Sequence, residues 1–219
     1  MNRRGFVIGA ITLGAAVFAG GTWYNKKRQA DEAEARLAAV PDLNEILLRP
    51  GAPFLGPKDA AVTLVEFFDP SCEACRAFHP VLEALRKEFP TELRIVLRYT
   101  PFHQGSAEAV AILESARRQG KFEQVLNALF ERQPEWGSDS APNIDFAWQI
   151  AGSVGMDIST RASEPQNPGT VAILRQDLED IEALGVRATP TFFFEGKQLQ
   201  QVSFESLQAT VRDAVARSK

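Results

Sequence analysis

The sequence predicts a mixed α/β fold in which a sheet is interrupted by a block of helices and preceded by an apolar N-terminal helix. Three observations predict it. Apolar runs at 62–68 and 93–99 flank a helical pattern that opens on Cys72-Glu73-Ala74-Cys75, giving strand–helix–strand. From about 103 to 175 the pattern is helical, with caps and breakers but no strand. After a helix ending near Leu184, the chain returns to a hairpin and a last amphipathic helix.

The N-terminal element comes first. Gly5 to Tyr24 is a run of 20 residues without charge, which as a helix spans about 30 Å, the thickness of a bilayer core. The opening Asn2-Arg3-Arg4-Gly5-Phe6-Val7 resembles a twin-arginine export signal, and Val17-Phe18-Ala19 offers small residues for a weak cleavage site. Residues 1–28 therefore read either as an export signal or as a retained membrane anchor. Lys26, Lys27 and Arg28 just beyond the run leave its orientation open. Both readings place the body outside the cytoplasm, in a bacterial periplasm. The net charge of −4 divides into +5 on residues 1–28 and −9 on the rest. A soluble body of that sign carries no basic footprint, so nucleic-acid binding is disfavoured.

Residues 29–58 read as a linker or stalk. Asp31 to Ala39 is acidic and Ala-rich, and Pro41, Pro50, Gly51, Pro53, Gly56 and Pro57 mark an extended segment. A strand at Val62–Phe68, a helix at Cys72–Phe89 and a strand at Leu93–Tyr99 make the first part of the sheet domain, 59–102. In the helical insertion, 103–175, Ser106 is a candidate cap for a helix to about Arg118, ended by Gly120. Lys121–Arg132 and Asn143–Ala151 follow, then Asn167-Pro168 opens a helix to about Leu184. The second part of the sheet domain, 176–219, holds Thr191–Phe194, a Glu195-Gly196 turn, Gln198–Val202 and a helix capped by Ser203.

The chemistry sits at Cys72 and Cys75, the only cysteines in the chain. A Cys-x-x-Cys at a helix start puts the first sulfur beside unpaired N–H groups and the positive helix end, which favours the thiolate that attacks disulfides. The second cysteine is close enough to resolve a mixed disulfide. A zinc half-site, a structural disulfide and two buried apolar cysteines are the alternatives. Glu66, on the strand entering the helix beside Phe67 and Phe68, is a candidate buried acid that exchanges protons with the resolving thiol. Pro80 falls inside the helix and removes one of its hydrogen bonds. Pro190, in Ala188-Thr189-Pro190-Thr191 before an aromatic strand, is a candidate cis peptide.

Together Val65-Glu66-Phe67-Phe68-Asp69-Pro70-Ser71-Cys72-Glu73-Ala74-Cys75, Pro80 and Ala188-Thr189-Pro190-Thr191-Phe192-Phe193 resemble the DsbA-like thiol:disulfide interchange branch of the thioredoxin superfamily. The resemblance covers most of 55–219 and implies a thioredoxin-like fold with an inserted helical domain. It further implies that Cys72 is the exposed nucleophile, Cys75 the buried resolving thiol, Glu66 the buried acid, and Thr189 and Pro190 the loop that pairs with substrate peptide. No cofactor is implied beyond the redox-active Cys72–Cys75 disulfide. The implied partners are cysteine-containing exported proteins and a membrane redox partner that reoxidises or reduces the pair, with membrane association through the N-terminal segment if it is retained.

One departure matters. Strongly oxidising members carry Pro-His between the cysteines, and this chain has Glu73-Ala74. The acid opposes a thiolate if its charge lies near the sulfur. The expected potential therefore falls between those of thioredoxin and DsbA, about −270 and about −120 mV. Disulfide reduction or isomerisation stays open as the direction of the reaction. Outside redox chemistry, Cys72, Cys75, His79 and His103 count out as a zinc set, and the two thiolates alone suit copper(I). Packing is the expected role of Phe192, Phe193, Phe194, Trp136 and Trp148.

Overall fold

The computed structural model describes residues 21–22, 24–25, 27–28, 30–138 and 140–218. They fall into two compact units, 1–41 and 42–219. In the first, residues 30–38 are helical, and Arg28 and Glu32 form an i,i+4 ion pair at 3.4 Å. Residues 5–20 of the apolar run lie outside the described residues. Among the described residues no helix is long and apolar enough to cross a membrane.

The second unit is built on a five-stranded sheet. Its strands are β1 (Phe54–Leu55), β2 (Val62–Phe68), β3 (Leu93–Tyr99), β4 (Thr191–Phe194) and β5 (Lys197–Gln198), in the order β1-β3-β2-β4-β5. β2 and β3 are parallel, joined by the crossover helix α2 (Glu73–Glu88), and the other pairs are antiparallel. A strand's period of two assigns the faces. Leu64, Glu66 and Phe68 of β2 lie on one face with Leu93, Ile95, Leu97 and Tyr99 of β3 and Phe192 and Phe194 of β4. All of these apart from Glu66 join the main core cluster with Leu82 and Leu85 of α2. Phe192, Phe193 and Phe194 are all buried, as a strand covered on both faces requires.

The opposite face is closed by a charge network. Val65 and Phe67 of β2, Arg98 of β3 and Phe193 of β4 lie there, under the long helix α7 (Pro168–Leu184). Arg98 is fully buried. It donates to Asp177 Oδ1 at 2.9 and 2.6 Å, to Asp180 and to the Ile46 carbonyl. Arg49 grips Asp180 at 2.8 and 3.0 Å, and the Tyr99 N–H donates to Asp177 Oδ2 at 2.8 Å. The guanidinium of Arg98 also lies 5.2 Å from the centre of the Phe67 ring. Every charge is paired, as burial at this depth demands.

Between β3 and β4 stands the helical block. It comprises α3 (Ser106–Arg118), α4 (Phe122–Glu131), the short α5 (Gln133–Trp136), α6 (Ile144–Ser153), a 3₁₀ turn at Glu164–Gln166 and then α7; helix α8 (Phe204–Arg217) closes the chain. Trp136 and Trp148 are core residues of the block. Asn143 and Asn167 cap α6 and α7 through their side chains, with Pro168 in the first turn of α7. Ser203 and Ser206 form a reciprocal capping box on α8.

The sequence expectations need three corrections. The N-cap of α3 is Gly105, at φ 79°, and Ser106 occupies the first helical position because its hydroxyl is drawn to the buried Asp69. The segment expected to be extended contains α1 (Leu43–Leu47) and the edge strand β1. The hairpin's second strand is only Lys197–Gln198; the Leu199 N–H still donates to the Phe192 carbonyl, and Gln201 then turns away at φ 51°. Pro80 lies inside helix α2, where the sequence put it.

Candidate active site

Cys72 is the N-cap of α2, with φ −74° and ψ 122°, and Cys75 is the third residue of the helix. Both are free thiols. Cys72 is 6% exposed and Cys75 0%, so the sulfur expected to be exposed is itself buried, only less completely than its neighbour. The Thr189–Pro190 peptide bond is cis, as the sequence suggested. It brings the Thr189 carbonyl oxygen to 3.4 Å from Cys72 Sγ, across 117 residues of chain. The residues expected at 66, 72, 75, 189 and 190 therefore meet at one end of the sheet.

The two sulfurs have opposite environments. The Cys72 thiol is lowered to about 5, chiefly by a hydrogen bond from the Cys75 thiol and further by the Thr189 side chain and the N–H groups of Cys75 and Ala74; burial opposes this. The Thr189 carbonyl favours the neutral thiol, and the donors outweigh it. Cys75 is pushed far up, first by burial, then by donating to Cys72 and by the charge on Glu66, against an opposing hydrogen bond from the Asp69 N–H at 3.4 Å. Cys72 is thus anionic at neutral pH while Cys75 keeps its proton. Glu73 is exposed, where solvent and salt screen its charge from the sulfur.

Glu66 sits in register between Leu97 of β3 and Phe192 of β4, on the face that carries α2. Burial first, and the Cys72 charge second, raise its carboxyl to about 8. The consequence for stability has a definite sign. An unfolded chain loses this proton in the ordinary carboxylate range, so folding stability falls as pH rises from there to about 8. In urea denaturation, Glu66→Gln is expected to stabilise the reduced protein by about 3 kcal/mol at pH 7 and by almost nothing at pH 4. A pH-independent difference between the two chains would show that Glu66 does not titrate this way.

Asp69 carries no prediction from the sequence, yet it is the hub of the site. It is fully buried between β2 and α2. Its Oδ1 accepts the Ser71 N–H at 2.8 Å and the Ser106 hydroxyl. Its Oδ2 accepts the N–H groups of Phe102 and His103 at 2.8 and 3.0 Å and contacts His103 Nδ1 at 2.7 Å. Gln133 is the second unforeseen residue: buried on α5, its amide donates to the carbonyls of Pro70 at 2.8 Å and Cys72 at 3.0 Å. The turn-forming residues Asp69-Pro70-Ser71 between β2 and α2 are the sequence signal that could have found them.

The zinc set is not assembled. His79, half-buried, contacts Asn127 Oδ1 at 2.7 Å and packs on Phe130, and burial first of all lowers its pKa. His103 is committed to Asp69. Among the described residues no group of three or more His, Cys, Asp or Glu is placed to hold a metal ion.

The comparisons with known proteins agree with this fold. The family model described as Thioredoxin matches residues 49–213. A thioredoxin-like oxidoreductase from Silicibacter pomeroyi is 30% identical and superposes with a TM-score of 0.67 over 82% of this chain and 98% of its own. The Wolbachia pipientis protein alpha-DsbA1, 16% identical, superposes at 0.68 over 80% of this chain and 96% of its own. A curated relative, a Na(+)/H(+) antiporter NhaA from Herminiimonas arsenicoxydans, is 33% identical over 145 residues, which are 66% of this chain but 22% of the antiporter. The likeness to that longer protein is limited to a segment the size of one domain. With the family model spanning most of its length and a helical block set into the sheet as in its structural neighbours, the chain belongs to the thioredoxin superfamily and is DsbA-like in architecture.

Proposed function

We propose that this oxidoreductase exchanges disulfides with cysteine-containing proteins outside the cytoplasm, through Cys72 and Cys75. The observation that carries the reading is the division of labour between the sulfurs, one ionised near pH 5 beside the Thr189–Pro190 loop and one held protonated behind it. In the oxidising direction a substrate thiolate attacks Sγ of Cys72 in the Cys72–Cys75 disulfide. The S–S bond breaks, the electron pair stays on Cys75, and that sulfur takes a proton, for which Glu66 is the nearby donor. A second substrate thiolate then attacks the substrate sulfur of the mixed disulfide and expels Cys72 as a thiolate. The products are a substrate disulfide and the reduced pair; two electrons have moved to the protein. The main-chain groups of Thr189 and Pro190 are the proposed contacts for substrate backbone. A membrane redox partner restores the starting state.

A stabilised Cys72 thiolate favours the reduced pair and so makes the disulfide oxidising, which supports oxidation over reduction or isomerisation. The twin-arginine-like start and the apolar run support export, as a released or an anchored protein. The test is the pH dependence of iodoacetamide alkylation of the reduced chain, with glutathione equilibration beside it. The expected half-point is near pH 5, and the expected potential lies between about −270 and about −120 mV. A half-point near that of a free thiol, about 8.5, would remove the basis of the reading.

A further inference from the structure

The Cys72 sulfur is reactive because the backbone around it is fixed, and what fixes it comes partly from outside the sheet domain. Residues 69–72 form the turn that delivers the chain from β2 into α2, with the Cys72 N–H donating to the Asp69 carbonyl at 3.1 Å. The Cys72 carbonyl accepts the Arg76 N–H at 3.1 Å, the first bond of the helix. That same carbonyl and the Pro70 carbonyl both face the Gln133 amide. Two carbonyl acceptors can be satisfied only by the NH₂ end of a glutamine, whose two protons reach both at once. Gln133 is 2% exposed, so no water stands ready to replace it. Its backbone is anchored in turn, because its main-chain carbonyl accepts the Gly137 N–H at 2.7 Å and Trp136 on the same helix donates to the Leu129 carbonyl at 2.8 Å.

We propose that Gln133 is a positioning residue for the dithiol: reaching from the helical block, its amide grips the carbonyls on either side of Ser71 and holds the Cys72 sulfur against the start of α2. The helical block thereby governs the thiol's reactivity without touching the sulfur. The N–H groups of Ala74 and Cys75 stabilise the sulfur only while Cys72 keeps its capping conformation. With the grip released, Cys72 samples other backbone angles and the sulfur spends part of its time away from those donors. This inference rests on the proposed function, since it concerns the same sulfur.

The test compares Gln133→Met, close in size and without the donor, with the parent and with Ile150→Val, which loosens the core of the block at α6. Gln133→Met is expected to raise the half-point of Cys72 alkylation by about one pH unit. In equilibration with glutathione, one glutathione disulfide oxidises the pair and releases two glutathione thiols. Because the variant's reduced form is less stabilised, its equilibrium is expected to shift about tenfold toward the protein disulfide. Ile150→Val is expected to lower the denaturation midpoint and leave both readings at the parent values. Gln133→Asn, one methylene short of spanning both carbonyls, is the milder variant and is expected to shift in the same direction. Unchanged half-points in both Gln133 variants would overturn the inference, as would an equal shift in Ile150→Val. A parent chain that itself titrates as a free thiol would instead overturn the functional reading.

Discussion

Cys72→Ser is expected to abolish both insulin reduction and oxidation of a dithiol peptide, while the chain unfolds at close to the parent urea concentration. The substitution removes the only ionised sulfur of the site and leaves a hydroxyl that does not ionise at working pH. Cys75→Ser separates the two roles. Its Cys72 still attacks, but nothing inside the protein resolves the product, so a mixed disulfide with the substrate is expected to accumulate on a non-reducing gel. Turnover surviving in Cys72→Ser would move the chemistry elsewhere; turnover surviving in Cys75→Ser would mean that external thiols resolve the intermediate.

Arg98→Leu is expected to destabilise the protein by about 3–5 kcal/mol, the usual cost of removing one partner from a buried ion pair. Asp177 and Asp180 would keep their charges at depth with Arg49 alone to answer them, and the Ile46 carbonyl would lose its donor. The pair Arg98→Leu with Asp177→Asn is expected to cost less than the sum of the two single changes, since the second relieves the stranded charge left by the first. Guanidinium denaturation of the four chains measures this coupling. Simple additivity would mean that the network does not act as a unit.

The part of the fold governed by local periodicity was open to reading. Val62–Phe68 and Leu93–Tyr99 are found with the bounds their apolar runs suggested, and Asn167 and Ser203 cap where side-chain chemistry placed them. The cis Thr189–Pro190 bond is found at the proline that its place at the entrance of a strand marks as a candidate. What escaped was decided by tertiary partners. Arg98 stands at a position that in an isolated strand would face water, and only the arrival of Asp177 and Asp180, about 80 residues later, makes its burial possible. Asp69 and Gln133 look like ordinary turn and helix residues; their importance comes from donors and acceptors brought in across 33 to 63 residues. Ser106 lies one position past the cap for the same reason, because a distant carboxylate takes the hydroxyl that local amide groups would otherwise bind.

Asp69 also has a mechanical consequence. One carboxylate is bonded both to the turn that leads into α2 and to the segment where the chain leaves β3 for α3. The near end of the helical block is thus riveted within four residues of the nucleophile. The block is tied to the same turn a second time through Gln133, so a displacement of the block at either attachment is passed straight to the backbone that carries the sulfur.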